Sequence, residues 1–214
     1  MRQGLLGGTF DPIHLGHLGL AEAAKQALAL DAVTLLPAPA PPHRDPPRAS
    51  AAHRFAMAAL AIQDRAHLRL SDVEFDSFGP SYTDTTLDRL AARGIDTRTL
   101  FFIIGADAFR DIATWKNFPA VLDRCHFAVV SRPGQPATSL HDARPELARR
   151  MVTEPYTIPS ETGIFLVDAS TPPVSSTDIR ERLAARRPVL DLVPAAVAAY
   201  IEKHGLYRPS TGAA

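Results

Sequence analysis

Gly4-Leu5-Leu6-Gly7-Gly8-Thr9-Phe10-Asp11-Pro12-Ile13-His14-Leu15-Gly16-His17 is the stretch that decides the fold. A short apolar run ends in a glycine turn and passes into a helical pattern. In that pattern Leu18, Ala21, Ala24 and Leu28 share one face, with Glu22, Lys25 and Gln26 mostly outside it. Glycines at such a turn let a backbone approach a ligand and leave N–H groups to point at phosphate oxygens. His14 and His17, three apart, share a face of the first turn and aim at whatever sits at the helix start. Gly16 between them leaves out a side chain where a nucleotide would pack. Open α/β sheets bind ligands at strand carboxyl ends, so the two histidines read as functional. The spacing is neither the Gly-x-Gly-x-x-Gly of dinucleotide binders nor a P-loop with its Gly-Lys-Ser/Thr ending.

Outward from this stretch, short apolar runs recur at Val33–Leu36, Leu68–Leu70, Leu100–Ile104, Phe127–Val130 and Ile164–Val167. Several are continuously apolar, as parallel strands covered on both faces are. Helical patterns lie between them. Thr83 reads as an N-cap, with Leu87, Leu90 and Ala91 as the apolar stripe and Gly94 at the stop. Pro194 opens a last helix bearing Val197, Tyr200 and Ile201. The alternation predicts an α/β fold: a doubly wound, Rossmann-like parallel sheet with helices on both faces. Residues 37–48, with six prolines, and residues 131–162 break the rhythm. The first reads as an exposed irregular loop and the second as irregular with one short helix around Glu146 to Arg150. Since the pattern resumes after each, residues 1–214 are expected to form one domain.

The 214 residues suit a single α/β domain. Lys+Arg and Asp+Glu both number 23, so no global field draws the chain to nucleic acid or an anionic membrane, and phosphate recognition must be local. The single cysteine, Cys125, excludes an internal disulfide and multi-cysteine zinc sites, and reads as a partly buried thiol. The N-terminal apolar stretch is too short for a signal peptide and no run approaches a membrane span. A cytoplasmic protein is expected.

Far downstream, Val174-Ser175-Ser176-Thr177-Asp178-Ile179-Arg180 places two serines and a threonine at a helix start, a site of N–H groups and hydroxyls for an anion. Arg180, one turn in, has the fork geometry for phosphate. Together the two stretches resemble the nucleotidyltransferase superfamily, whose split signature is a Gly-Thr-Phe-Asp-Pro turn with His-x-Gly-His or Thr-x-Gly-His, followed later by Ser-Ser-Thr-x-x-Arg. Further segments narrow the resemblance to the nicotinate mononucleotide adenylyltransferases: Pro41-Pro42-His43-Arg44, Ser81-Tyr82-Thr83-Asp84-Thr85, Gly105-Ala106-Asp107 with Trp115 beyond it, and Ser131-Arg132-Pro133-Gly134. The resemblance covers about residues 3–205, leaving residues 206–214 as an expected flexible tail.

The resemblance implies that the phosphate of nicotinate mononucleotide attacks the α-phosphorus of ATP and displaces pyrophosphate. The attacking phosphate is already anionic, so no general base and no covalent enzyme intermediate are required. Catalysis reduces to positioning and charge neutralisation. It implies catalytic roles for His17, His14 and Arg180. ATP would be bound by Gly7, Gly8, Thr9, Phe10, His14, His17, Gly105, Asp107, Ser175, Ser176, Thr177 and Arg180. Arg44, Tyr82, Thr83, Trp115 and Arg132 would hold the nicotinate nucleotide. Mg²⁺ would arrive with ATP, bound mainly through its phosphates, with no metal site of protein residues. ATP and nicotinate mononucleotide are the expected partners, with no nucleic acid or membrane and with a homo-oligomer left open. The alternatives are another adenylyl- or cytidylyltransferase of the superfamily, such as a phosphopantetheine adenylyltransferase, and a catalytically silent nucleotide-binding regulator. A dehydrogenase is disfavoured by the missing glycine fingerprint.

Overall fold

Along Leu100-Phe101-Phe102-Ile103-Ile104 successive side chains enter opposite cores: Phe101 and Ile103 one, Leu100, Phe102 and Ile104 the other. A continuously apolar strand therefore means a sheet buried on both faces. In the computed structural model, which describes residues 2–40, 45–75, 79–154, 156–157 and 160–208, the strands are β1 (Gln3–Gly8), β2 (Ala32–Pro37), β3 (Leu68–Leu70), β4 (Leu100–Gly105), β5 (His126–Val130), β6 (Met151–Val152) and β7 (Ile164–Val167). They form one parallel sheet in the order β3-β2-β1-β4-β5-β7-β6. Helices α1 (Leu15–Ala27), α2 (Ala51–Ile62), α6 (Ser176–Ala184) and α7 (Ala195–Lys203) bury residues in the first core. Helices α3 (Thr83–Ala92), α4 (Ala106–Phe109) and α5 (Leu140–Ala143) bury theirs in the second. The doubly wound α/β class expected from the sequence is the one observed.

Strand order reverses between β1 and β4, which pair from Gln3 with Leu100 to Leu6 with Ile103. The chain leaves β1 toward β2 on one side and β4 toward β5 on the other, opening a crevice beyond their carboxyl ends. Gly7-Gly8 and Gly105 end the two strands there. This is the topological switch point where open sheets of this kind bind ligands.

The structure differs from the sequence expectations at five points. Tyr82, not Thr83, is the N-cap of α3, and Thr83 is its first helical residue. Helix α2 was not anticipated, although Ser50 caps it by accepting from the His53 N–H. The short helix expected around Glu146 is a 3₁₀ turn over Pro145–Arg150, and β6 follows it as a two-residue edge strand. Cys125 is fully buried, and burial pushes its thiol up to about 12, so it is inert. The expected tail begins later than residue 206. Tyr207 is buried with φ 63° and its hydroxyl donates to Asp11 Oδ1 at 2.7 Å; residues 209–214 lie outside the described part. No helix among the described residues is long and apolar enough to cross a membrane.

Removing the Tyr207 hydroxyl deletes a hydrogen bond to a buried carboxylate, so Tyr207→Phe is expected to lower stability by about 1.5–2 kcal/mol. Urea unfolding checks this; an unchanged midpoint would show that the C-terminal segment is not fastened to Asp11.

Candidate active site

The turn between β1 and α1 owes its shape to aromatic packing. Phe10 adopts φ 50° and folds back into the core. A Cβ on Gly8 would strike its ring at 2.6 Å, and one on Gly7 would meet the Phe102 ring at 3.2 Å. Gly16 also answers to packing within the chain: a Cβ there would meet the His14 ring at 3.0 Å and the Val174 carbonyl oxygen at 3.1 Å. The space expected for a nucleotide is taken by His14.

His14 and His17 form a reciprocal cap on α1. The His17 N–H donates to His14 Nδ1 and the His14 N–H donates to His17 Nδ1, each at 3.3 Å, with ring centroids 3.7 Å apart. A backbone N–H only donates, so both Nδ1 atoms carry the lone pair and each neutral ring holds its proton on Nε2. The two histidines are not equivalent. His14 is 1% exposed, and its pKa is pushed down to about 3, first by burial and then by the Arg132 charge. It is a neutral cap standing behind His17. His17 reaches the cleft, with the Phe10 ring edge-on to it at 5.0 Å.

One buried guanidinium holds the surrounding backbone. Arg54 of α2, 1% exposed, donates to four carbonyls: Thr9 and Ala38 at 2.6 Å, Pro39 at 2.9 Å and Ala49 at 3.2 Å. These belong to the motif turn, the segment after β2 and the entry to α2. Burial pulls its pKa down, opposed by the Asp11 charge and Tyr207. Asp11 completes the assembly, accepting from the N–H groups of Arg48 at 2.8 Å and Ala49 at 3.1 Å as well as from Tyr207.

The two separated motifs meet here. Ser176 Oγ donates to the Pro12 carbonyl at 3.0 Å, and Arg180 Nη1 donates to the Asp11 carbonyl at 2.8 Å while Nη2 donates to Thr177 Oγ1 at 3.1 Å. Ser175 caps α6 by accepting from the Asp178 N–H at 3.1 Å. The α6 start is thereby fixed beside the β1–α1 turn.

A cleft of about 440 Å³ opens at this junction. Of the residues singled out from sequence, Gly7, Gly8, Thr9, Phe10, His17, Tyr82, Thr83, Gly105, Asp107, Trp115, Arg132 and Ser176 line it. His14, Ser175, Thr177 and Arg180 stand behind or beside the wall, and Arg44 lies outside the described residues. Trp115 is half-buried, edge-on to Phe102 at 6.0 Å. Arg132 stands with Gly105 and Asp107, its Nε 3.7 Å from Asp107 Oδ1. It lines the same cleft as Tyr82, Thr83 and Trp115.

Residues 5–182 match the cytidylyltransferase-like family model. A protein of Roseiflexus sp. (strain RS-1) named probable nicotinate-nucleotide adenylyltransferase is 42% identical over 96% of this chain and 97% of its own length. One from Pseudomonas aeruginosa with the same name is 43% identical over 97% of each. The chain belongs to the cytidylyltransferase-like family, among its nicotinate-nucleotide adenylyltransferases. The fold matches a solved nicotinic acid mononucleotide adenylyltransferase from Plasmodium falciparum complexed with NaAD, at TM-score 0.73 and 17% identity over 96% of this chain and 97% of that one.

No motif in the sequence singles out Arg54 or Lys116. Arg54 sits in an alanine-rich stretch where nothing distinguishes a buried guanidinium from a solvated one. Its signal was the burial stripe of Met57, Ala58, Ala61 and Ile62, which extends back to position 54. Asp84 accepts from Asn117 Nδ2 at 2.5 Å and Arg124 Nη1 at 2.7 Å, tying the first turn of α3 to the segment after Trp115.

Arg54→Lys keeps the charge but cannot fan bonds in a plane to four carbonyls. It should cost about 3 kcal/mol of stability, measured by urea unfolding; a loss below 1 kcal/mol would deny the guanidinium this role. Stability should also fall with pH through His14. The unfolded imidazole takes up a proton near 6.5 while the folded one stays neutral to about 3, so stability is full above about pH 6.5 and is lost as pH drops below it. His14 alone should remove about 2 kcal/mol by pH 5, and His14→Asn, a cap that does not titrate there, should flatten that slope.

Proposed function

We propose that this chain transfers the adenylyl group of Mg·ATP to the phosphate of nicotinate mononucleotide. A phosphate oxygen of the acceptor attacks the α-phosphorus, the α–β bridging P–O bond breaks, and nicotinate adenine dinucleotide and pyrophosphate leave. The observation that carries this reading is the junction of the two motifs: Ser176 and Arg180 of α6 bonded to the carbonyls of Pro12 and Asp11, with His17 facing the same cleft. It gathers donors and positive charge at one point, which is what transfer between two anionic groups requires. The names of the full-length relatives support it.

His17 donates from Nε2 to the phosphates undergoing transfer. His14 keeps that ring in its tautomer and orientation and stays neutral, so the pair carries no second charge. Arg180, its guanidinium seated on Asp11 and Thr177, stabilises the leaving pyrophosphate together with the N–H groups at the α6 start. Arg132 and Asp107 take the adenylate side, the aspartate accepting from ribose hydroxyls. Trp115 and the first turn of α3 at Thr83 form the pyridine pocket, with Tyr82 at its edge. Mg²⁺ enters as part of the nucleotide substrate and screens its phosphate charge; the cleft carboxylates Glu74, Asp84 and Asp107 each have an arginine within 4 Å, a donor set that suits a metal carried by phosphates and water.

Purified protein with Mg·ATP should form the dinucleotide and pyrophosphate from nicotinate mononucleotide. Turnover of phosphopantetheine or of CTP with its acceptors instead would overturn the assignment. His17→Ala should remain folded and lose about 10²–10³-fold in kcat; near-full kcat would place the chemistry elsewhere.

A further inference from the structure

The cleft is lined by one exposed ammonium that the motifs do not account for. Lys116 follows Trp115 in sequence, lines the cleft and holds its Nζ 5.1 Å from the centroid of the Tyr82 ring. Three of the four carboxylates that line the cleft already face arginines: Glu74 with Arg89 at 3.6 Å, Asp84 with Arg124 at 2.7 Å and Asp107 with Arg132 at 3.7 Å. The fourth, Asp111, is solvent-exposed. Among the described residues no carboxylate lies within 4 Å of the Lys116 ammonium. It lies over the aromatic face of Tyr82, the residue at the N-cap of α3.

Lys116 is also held in place. Asn117, at φ 61°, donates to Asp84 in the first turn of α3, and the Phe118 N–H donates to the Trp115 carbonyl at 3.1 Å. The Asn117 side chain thus ties the turn that carries Lys116 to the first turn of α3. The tie brings a positive charge to the helix end that already carries the positive pole of the macrodipole. Two like fields converging beside a flat aromatic wall suit a flat ring bearing a negative substituent.

We propose that Lys116 is a specificity-determining residue of the acceptor pocket, its ammonium selecting a pyridine ring that carries a carboxylate over one that carries a carboxamide. This rests on the adenylyl-acceptor reading above and deepens it. The segment Ser81 to Thr86 contains no lysine or arginine, so the charge is supplied across the pocket by Lys116. Both acceptors share the ribose phosphate, so an ammonium acting on phosphate affects them alike. One acting on the ring substituent affects only the acid.

The test is steady-state kinetics with nicotinate and nicotinamide mononucleotides for the parent, Lys116→Met and Lys116→Arg. Met keeps most of the stem length over Tyr82 and removes the charge. The expected result is that Lys116→Met lowers kcat/KM for the acid about tenfold, mainly through KM, leaves the amide unchanged, and that Lys116→Arg restores most of the discrimination. Discrimination in the parent should also shrink as salt is raised, as expected for an exposed charge. Equal losses on both acceptors, or an acid-to-amide ratio unchanged in Lys116→Met, would overturn the proposal. A parent that adenylylates neither mononucleotide overturns the underlying reading and this inference with it, and that failure is distinguishable because it precedes any variant.

Discussion

The Arg54 guanidinium is the interaction on which the site depends. A buried charge is costly unless its donors are satisfied, and here four backbone carbonyls from three chain segments satisfy them. The same bonds answer a second need. The turn after β1 and the segment after β2 lie beyond the sheet, where their carbonyls have no ladder partners. One side chain from α2 takes up these carbonyls and draws the two crossovers together at the switch point. Asp11 performs the matching task for N–H groups and brings in the C-terminal Tyr207. The motif turn is therefore shaped from behind, by groups buried within the chain.

On that base the two histidines divide their work by burial. They have the same chemistry and the same reciprocal bond, yet His14 is enclosed and held neutral while His17 faces the cleft. A His-x-x-His pair at a helix start thus becomes one buried cap and one ring at the cleft. The glycines around them belong to this packing as well. Gly8 makes room for the Phe10 ring and Gly16 for the His14 ring, so their presence in the motif reflects what the turn must enclose as well as what must approach it.

The opposite wall of the cleft is built by a different logic. Trp115 rests on the second core through Phe102 and Phe127, and the Asp84 carboxylate joins the segment after it to α3. An aromatic wall, a helix start and an ammonium are thereby held as a unit. Arg132 stands beside Asp107, and its charge reaches His14.

The amino-acid sequence determined by itself the features that depend on short-range periodicity and turn chemistry. Continuous apolar runs such as Leu100 to Ile104 marked buried parallel strands, and the doubly wound class followed from their alternation with helices. The Gly7–His17 and Ser175–Arg180 stretches marked the site because each carries its signal within a dozen residues. Only the tertiary structure decided which side chains complete it. Tyr207 meets Asp11 across 196 positions and Arg180 meets it across 169, distances over which no local pattern extends. Arg54 and Lys116 looked in sequence like any solvated cation. Their environments are set by strand order and by the crossovers that fold over the switch point: enclosure, with its cost for any unpaired polar group, gives the Arg54 charge its task, whereas Lys116 stays exposed at the cleft.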